Sequence, residues 1–283
     1  PGKVGSFWAR SVLKAKHSLV LAGREAKKCP PDLQAFFTPL PLTGQERHWK
    51  NLDLIVLAIA DSALPEICHQ LLSIEEEKEG RRTLFAHLSG QLSPEILVAE
   101  GIPAESAVAA HPVYPFNTRQ SSPKAIEVFH ALEGRQQSCA EMQRIIQAIG
   151  GRSFVINDIN RSLYHLACVL ASNHLVTLFH VAKRLIDQAS QSEGFPEEAL
   201  LGLMEASVRN LRHTPASEAL TGPAKRGDAK AITDHLENLR RIAPEYSQLY
   251  LELLKATQAL VPEQSKKVIK ELVEQKESSS PKA

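Results

Sequence analysis

Short apolar runs alternate with helix-period stretches over the first half of the chain, and the run-type segments stop near Asn157. The pattern predicts a helix over 5–15, a short strand over 18–22 and an irregular edge strand around 36–43, where Pro39 and Pro41 remove ladder donors. The continuous Leu/Ile/Val run at 52–59 reads as a strand buried on both faces. A helix over 63–72, a strand over 83–87, and a helix from Ser93 with Pro94 at its first position follow. Apolar runs at 107–110 and 153–156 flank a helix over 138–149. Beyond Asn157 only helical periodicity remains, over 161–188, 196–211, 229–242 and from Pro244 to about 260, before a charged C-terminal helix with a frayed end. The expectation is an α/β, doubly wound Rossmann-like domain over 1–157 and an all-α domain over 158–283.

The start of the chain gives this division a chemical meaning. Gly2-Lys3-Val4-Gly5 fits the second half of G-x-G-x-x-G, the loop that lets a backbone approach a pyrophosphate at a helix N-terminus. The first glycine and the strand before it would lie upstream of Pro1, so the expectation is that the natural protein has residues before it. In this reading Gly2, Lys3, Val4 and Gly5 bind a dinucleotide. An acid near the end of the second strand would select NAD, but Gly23 and Arg24 stand there, followed by Lys27 and Lys28. A guanidinium grips a 2′-phosphate bidentately, so Arg24 points to NADP over NAD; a solvated basic loop is the alternative.

Open α/β sheets bind ligands at their carboxyl edge, which supplies the other candidates. Asp61 follows the strongest strand, as cofactor contact or helix cap. Ser89, beside Gly90, would approach a nicotinamide or serve its own turn, and His111 would bind substrate or sit hydrogen-bonded in the core. Residues 163–182 lack Asp, Glu, Lys and Arg but carry His165, Asn173, His174 and His180, which reads as a helix buried inside protein. His165 and Asn173 would face the nicotinamide pocket or make internal hydrogen bonds. The Gly/Pro-punctuated loop 220–228 offers Thr221, Lys225 and Arg226 to an anionic substrate group, with Asp228 placed to cap the next helix.

Composition narrows the classes further. A formal net charge of +1 with 23% charged residues offers no basic excess for nucleic acid. The longest strictly apolar run, 54–60, falls far short of the about 20 residues a membrane span needs. Four scattered cysteines with no C-x-x-C pair read as reduced thiols, no metal cluster and a cytoplasmic protein.

Taken together, Gly2-Lys3-Val4-Gly5, His87-Leu88-Ser89-Gly90, His111-Pro112, Tyr164-His165 with Asn173, and Thr221-Gly222-Pro223-Ala224-Lys225-Arg226-Gly227-Asp228 resemble one bacterial family. It pairs a Rossmann-like NADP-binding domain with a helical C-terminal domain of unknown function. The family is similar to prephenate dehydrogenase, pyrroline carboxylate reductase and the deazaflavin-dependent NADP reductases. The resemblance implies an NADP-linked oxidoreductase acting on a small-molecule carbonyl, imine or alcohol, and a homodimer formed through the helical domain. It implies His165 as acid/base, Asn173 as the group polarising the reacting atom, and Arg226 holding a substrate carboxylate. A non-catalytic NADP-binding sensor is the alternative.

Overall fold

The computed structural model describes residues 2–40, 52–72, 82–117, 123–189 and 194–278; Pro1, the 41–43 end of the expected edge strand and the last five residues lie outside them. The chain divides into two compact units, Pro1–Ser172 and Asn173–Ala283. The first unit thus runs past the expected break at 157 and takes in one more helix.

In the first unit, helix α1 (Lys3–Lys14) leads to a small parallel pair, β1 (Leu21–Gly23) and β2 (Phe37–Pro39). A five-stranded sheet follows, made of β3 (Leu54–Leu57), β4 (Leu84–His87), β5 (Ala107–Val113), β6 (Phe129–Gly134) and β7 (Arg152–Val155), in spatial order 3-4-5-6-7. Helices α2 (Leu64–Leu72), α3 (Glu95–Ala99), α4 (Gln136–Ala148) and α5 (Arg161–Ala171) complete it. Side-chain alternation along the strands builds two cores. Leu84 and Ala86 of β4, with Val108 and Ala110 of β5, meet Phe7 and Trp8 of α1 and Met142 and Ile146 of α4. Phe85 and Ala107 point the other way, onto Leu64, Cys68 and Leu71 of α2 and Leu97 of α3. Both faces are therefore covered, as a doubly wound sheet requires.

The five-stranded sheet departs from the expected one in β6, and the expected strands near 18–22 and 36–43 pair with each other in the separate small sheet. β6 pairs antiparallel with β5, and the other neighbours are parallel. Its sequence, Phe-His-Ala-Leu-Glu-Gly, has only Ala131 and Leu132 as apolar buried residues, so no apolar run announces it. That ladder also lengthens β5. Pairing with β4 ends at Ala109, yet pairing with β6 continues through His111, Pro112 and Val113. Pro112 is tolerated because β5 is by then a one-sided strand.

A second feature concerns β3. It ends the five-stranded sheet, and β1 ends the small one, with no further strand beside either among the described residues. Both border one cavity of about 910 Å³, lined among others by Trp8, Leu21, Leu54, Val56 and Ile145. Leu54, Ile55 and Val56 are only half-buried, although the run reads as a strand covered on all sides. The cavity is thus bordered by the end strands of both sheets.

In the second unit, α6 (Asn173–Ala189) and α7 (Glu197–Asn210) form a hairpin, and α8 (Ala216–Ala219) and α9 (Pro223–Arg226) are single turns. Helices α10 (Ala229–Ile242), α11 (Ser247–Thr257) and α12 (Glu263–Ser278) pack around Ile232, Leu236, Leu251, Leu254, Ile269 and Val273. The expected buried helix at 161–188 is not found. It is broken at Ser172, whose hydroxyl donates to the Cys168 carbonyl, and α6 has no buried residue. By length and composition Arg161–Ala189 is long and apolar enough to cross a membrane, with only 6% of that window buried. Within α6 and α7, Leu175, Val176, Leu201, Leu203 and Val208 stand exposed.

Candidate functional site

The site assembles at the carboxyl ends of β3, β4 and β5. His87 of β4 pairs with Ala109 of β5, so His111, two residues on, lies at the level of Ser89 just past the end of β4. Sequence reasoning placed His111 in a loop; the structure places it inside β5, held there by its pairing with Ala131 of β6.

His111 Nδ1 lies 2.7 Å from the hydroxyl of Tyr164 on α5. Burial, with the positive surroundings of His165 and Arg161, pushes the His111 imidazole down to about 4. Burial pushes the Tyr164 phenol up, so it keeps its proton. A neutral imidazole and a protonated phenol share one hydrogen bond here, whose direction follows the tautomer of His111. The His165 ring stands 6.3 Å from that of His111, and its Nδ1 is buried with no hydrogen-bond partner. Both rings lie against Gly90. A Cβ there would sit 2.7 Å from His165 Nδ1 and 2.9 Å from His111 Nε2, so glycine is what allows the two imidazoles to converge.

Ser89 and Asp61 meet, as their strand-end positions suggest. The Ser89 hydroxyl donates to Asp61 Oδ2 at 2.8 Å and accepts from the backbone N–H groups of Gln91 and Leu92, both at 3.1 Å. Ser89 therefore shapes the turn and fixes the Asp61 carboxylate, which leaves its proton committed.

At the start of the chain, α1 begins at Lys3 behind Gly2, with no side chain capping its first turn. The early N–H groups of a helix are natural anion donors. A Cβ on Gly2 would meet nothing within 4 Å, so no protein atom crowds the approach to that turn. Arg24 is exposed directly after β1. Glu25, the one acid nearby, is tied to Lys28 at 2.6 Å and its carboxyl is held below the usual range by that ammonium.

Asn173, Thr221 and Arg226 belong to the second unit. Asn173 is the first residue of α6, Thr221 precedes the α9 turn and Arg226 is its last residue. That turn is built by Gly222 at φ 90° and Gly227 at φ 66°, conformations that favour glycine. Asp228 caps α10 by accepting from the Ala231 N–H, as its position suggests. Lys225 donates to the Ser217 carbonyl at 2.6 Å and so is used to hold the loop.

Three participants were not singled out from composition or spacing: Tyr164, Arg161 and Glu133. Arg161 offers one signal in hindsight. It follows the capping Asn160 as the first residue of a helix, where a cation opposes the dipole and needs a reason.

Buried neutral imidazoles carry a stability consequence. His87 and His130 are fully buried, and burial pushes both down to about 4. The unfolded chain takes up these protons near pH 6.5, while the folded one resists until about 4. Their contribution is thus fully present above pH 6.5 and is lost as pH falls towards 4. Denaturant midpoints are expected to drop steadily between pH 7 and pH 4.5; a flat profile would show that these rings are not held neutral.

Comparison with known proteins places this arrangement. Residues 128–257 match the model of DUF2520, a domain of unknown function. No curated protein matches the chain in sequence. Among solved structures, TM1727 from Thermotoga maritima is 23% identical over 92% of this chain and 95% of its own, with a TM-score of 0.67. BF3122 from Bacteroides fragilis, provisionally described as an NADP oxidoreductase, is 20% identical over 90% and 94%, with a TM-score of 0.69. Pyrroline carboxylate reductase from Plasmodium falciparum, solved with NADP bound, is 15% identical over 94% and 95%, with a TM-score of 0.52. These likenesses establish the fold: a Rossmann-like domain followed by a helical one, with a match to the DUF2520 family across residues 128–257.

Proposed function

We propose that this protein is an NADP-dependent oxidoreductase that moves a hydride between the nicotinamide and a small carbonyl, imine or alcohol. The observation that carries the reading is the convergence of His111, Tyr164 and His165 over Gly90 at the carboxyl edge of the sheet, where folds of this kind bind ligands. The NADP described for two proteins of the same fold supports the cofactor.

The uncapped first turn of α1 would hold the pyrophosphate and Arg24 the 2′-phosphate. The bound cofactor supplies the hydride and, oxidised, accepts it back. In the reducing direction the substrate carbon gains that hydride, the π electrons of its C=O or C=N bond move to the oxygen or nitrogen, and that atom takes one proton. His165 is the acid/base for this proton, and the Tyr164–His111 pair orients the neighbouring imidazole. Asp61 and Ser89 shape the floor.

One further proposal belongs to this reading. A second copy of this cytoplasmic protein covers the exposed apolar face of α6 and α7, since isolated patches of that kind mark interaction sites.

Function is tested by following NADPH oxidation against panels of oxo acids, cyclic imines and aldehydes; turnover with one class supports it, and NADPH binding with no turnover on any favours the sensor. Cofactor choice is tested at Arg24. Replacement by Ala is expected to weaken NADPH by about 10- to 100-fold, the worth of a charged hydrogen bond, while NADH affinity holds. Equal loss for both cofactors would remove Arg24 from 2′-phosphate recognition.

A further inference from the structure

Arg161 is 8% exposed, and its Nε donates to the half-buried carboxylate of Glu133. Its two terminal nitrogens, Nη1 and Nη2, are also buried, yet neither has a hydrogen-bond partner. A guanidinium carries five N–H donors in a planar fork, and one contact through Nε leaves that fork open. Leaving such donors buried and unmade costs about 1–3 kcal/mol each, more for a charged group. A pair kept for stability alone gains nothing from that arrangement, and its place at the first turn of α5 adds an unfavourable dipole.

The surroundings say what the fork is near. The guanidinium carbon is 5.7 Å from the centre of the Tyr164 ring. The hydroxyl of that ring meets His111, and its sequence neighbour His165 presents the unpartnered Nδ1. Open guanidinium donors and the two imidazoles therefore flank one tyrosine within the same compact unit. An anionic planar group with two acceptor oxygens satisfies both Nη groups at once, and a carboxylate is that group. Glu133 does not cancel the demand, because it neutralises the charge but occupies only Nε.

We propose that Arg161 binds the substrate carboxylate, so that the substrate is an oxo or imino acid, or in reverse the hydroxy or amino acid. This rests on the oxidoreductase reading of the same site. The carboxylate meets the Nη fork while the C=O or C=N group lies towards His165 and His111. Because both Nη groups are closed from water, side chains covering them move when the substrate enters. The proposal moves carboxylate recognition from Arg226, which the sequence suggested, to a residue of the first unit.

The test is calorimetric titration of the full chain with oxamate, a stable oxo-acid mimic, with and without NADPH, beside the uncharged oxamide. Wild-type protein is expected to bind oxamate and not oxamide. Arg161→Lys keeps a cation for Glu133 but loses the fork, and is expected to weaken oxamate at least about tenfold with NADPH affinity unchanged. Arg161→Gln paired with Glu133→Gln removes the charge without stranding its partner, and should abolish oxamate binding. Unchanged oxamate affinity in either variant, equal binding of oxamide, or no oxamate binding by protein that binds NADPH would each overturn the assignment. Oxamate binding through Arg161 without NADPH binding would instead keep it and refute the cofactor reading.

Discussion

A chain that supplies one more parallel strand ahead of Pro1 is expected to melt roughly 5–10 °C higher than the 283-residue chain and to bind NADPH far more tightly. The reason is the pair of open edges on β1 and β3 and the apolar cavity between them. About five strand residues would pair on both sides and bury aliphatic side chains against Trp8, Leu54, Val56 and Ile145. Each fully buried aliphatic side chain contributes about 1.5–3 kcal/mol, against about 1–2 kcal/mol per residue for ordering the backbone. The surplus is a few kcal/mol, which for a unit of this size is the stated rise in melting temperature. Affinity gains more, because the added strand fixes the entry to α1 and brings a further glycine to the phosphate turn. Amide exchange at Leu54 and Val56, whose N–H groups face away from β4, gives a local readout: protection should appear only in the longer chain. Equal melting and unchanged exchange would mean that the cavity is not a strand site.

Replacing Tyr164 by Phe or His165 by Ala is expected to lower kcat by about 10²–10⁴ while leaving NADPH affinity within about twofold. Tyr164→Phe removes one oxygen and retains the ring that packs on His111 and Arg161. It frees His111 Nδ1, so the imidazole is no longer held in one tautomer and orientation beside Gly90. His165→Ala removes the group assigned the proton transfer itself. The split between kcat and cofactor affinity separates chemistry from binding. Turnover near wild type in both variants would take the cluster out of the mechanism.

The order of elements, the two cores and the strand-end positions of Asp61 and Ser89 follow from periodicity that a reader of the sequence can see, because apolar runs and helix spacing are local properties. β6 was not legible for the opposite reason: its buried His130 meets the Arg152 carbonyl across the ladder through Nδ1, a contact no local pattern reveals. Missing β6 also misplaced His111, since antiparallel pairing extends β5 beyond its apolar run. Tyr164 and Arg161 acquire meaning only from partners on β5 and β6, reached through tertiary packing. Charge-free composition made 163–182 read as a buried helix, but absence of charge does not say what covers an apolar face, and in a single chain α6 is uncovered.

The most direct test of the central claim is calorimetric titration of the N-terminally extended protein with NADPH and NADH in parallel. The account predicts saturable binding with NADPH preferred by at least about tenfold, the discrimination expected of an arginine on the 2′-phosphate. Binding of neither dinucleotide would contradict it and leave a Rossmann-shaped protein whose histidine cluster serves another chemistry.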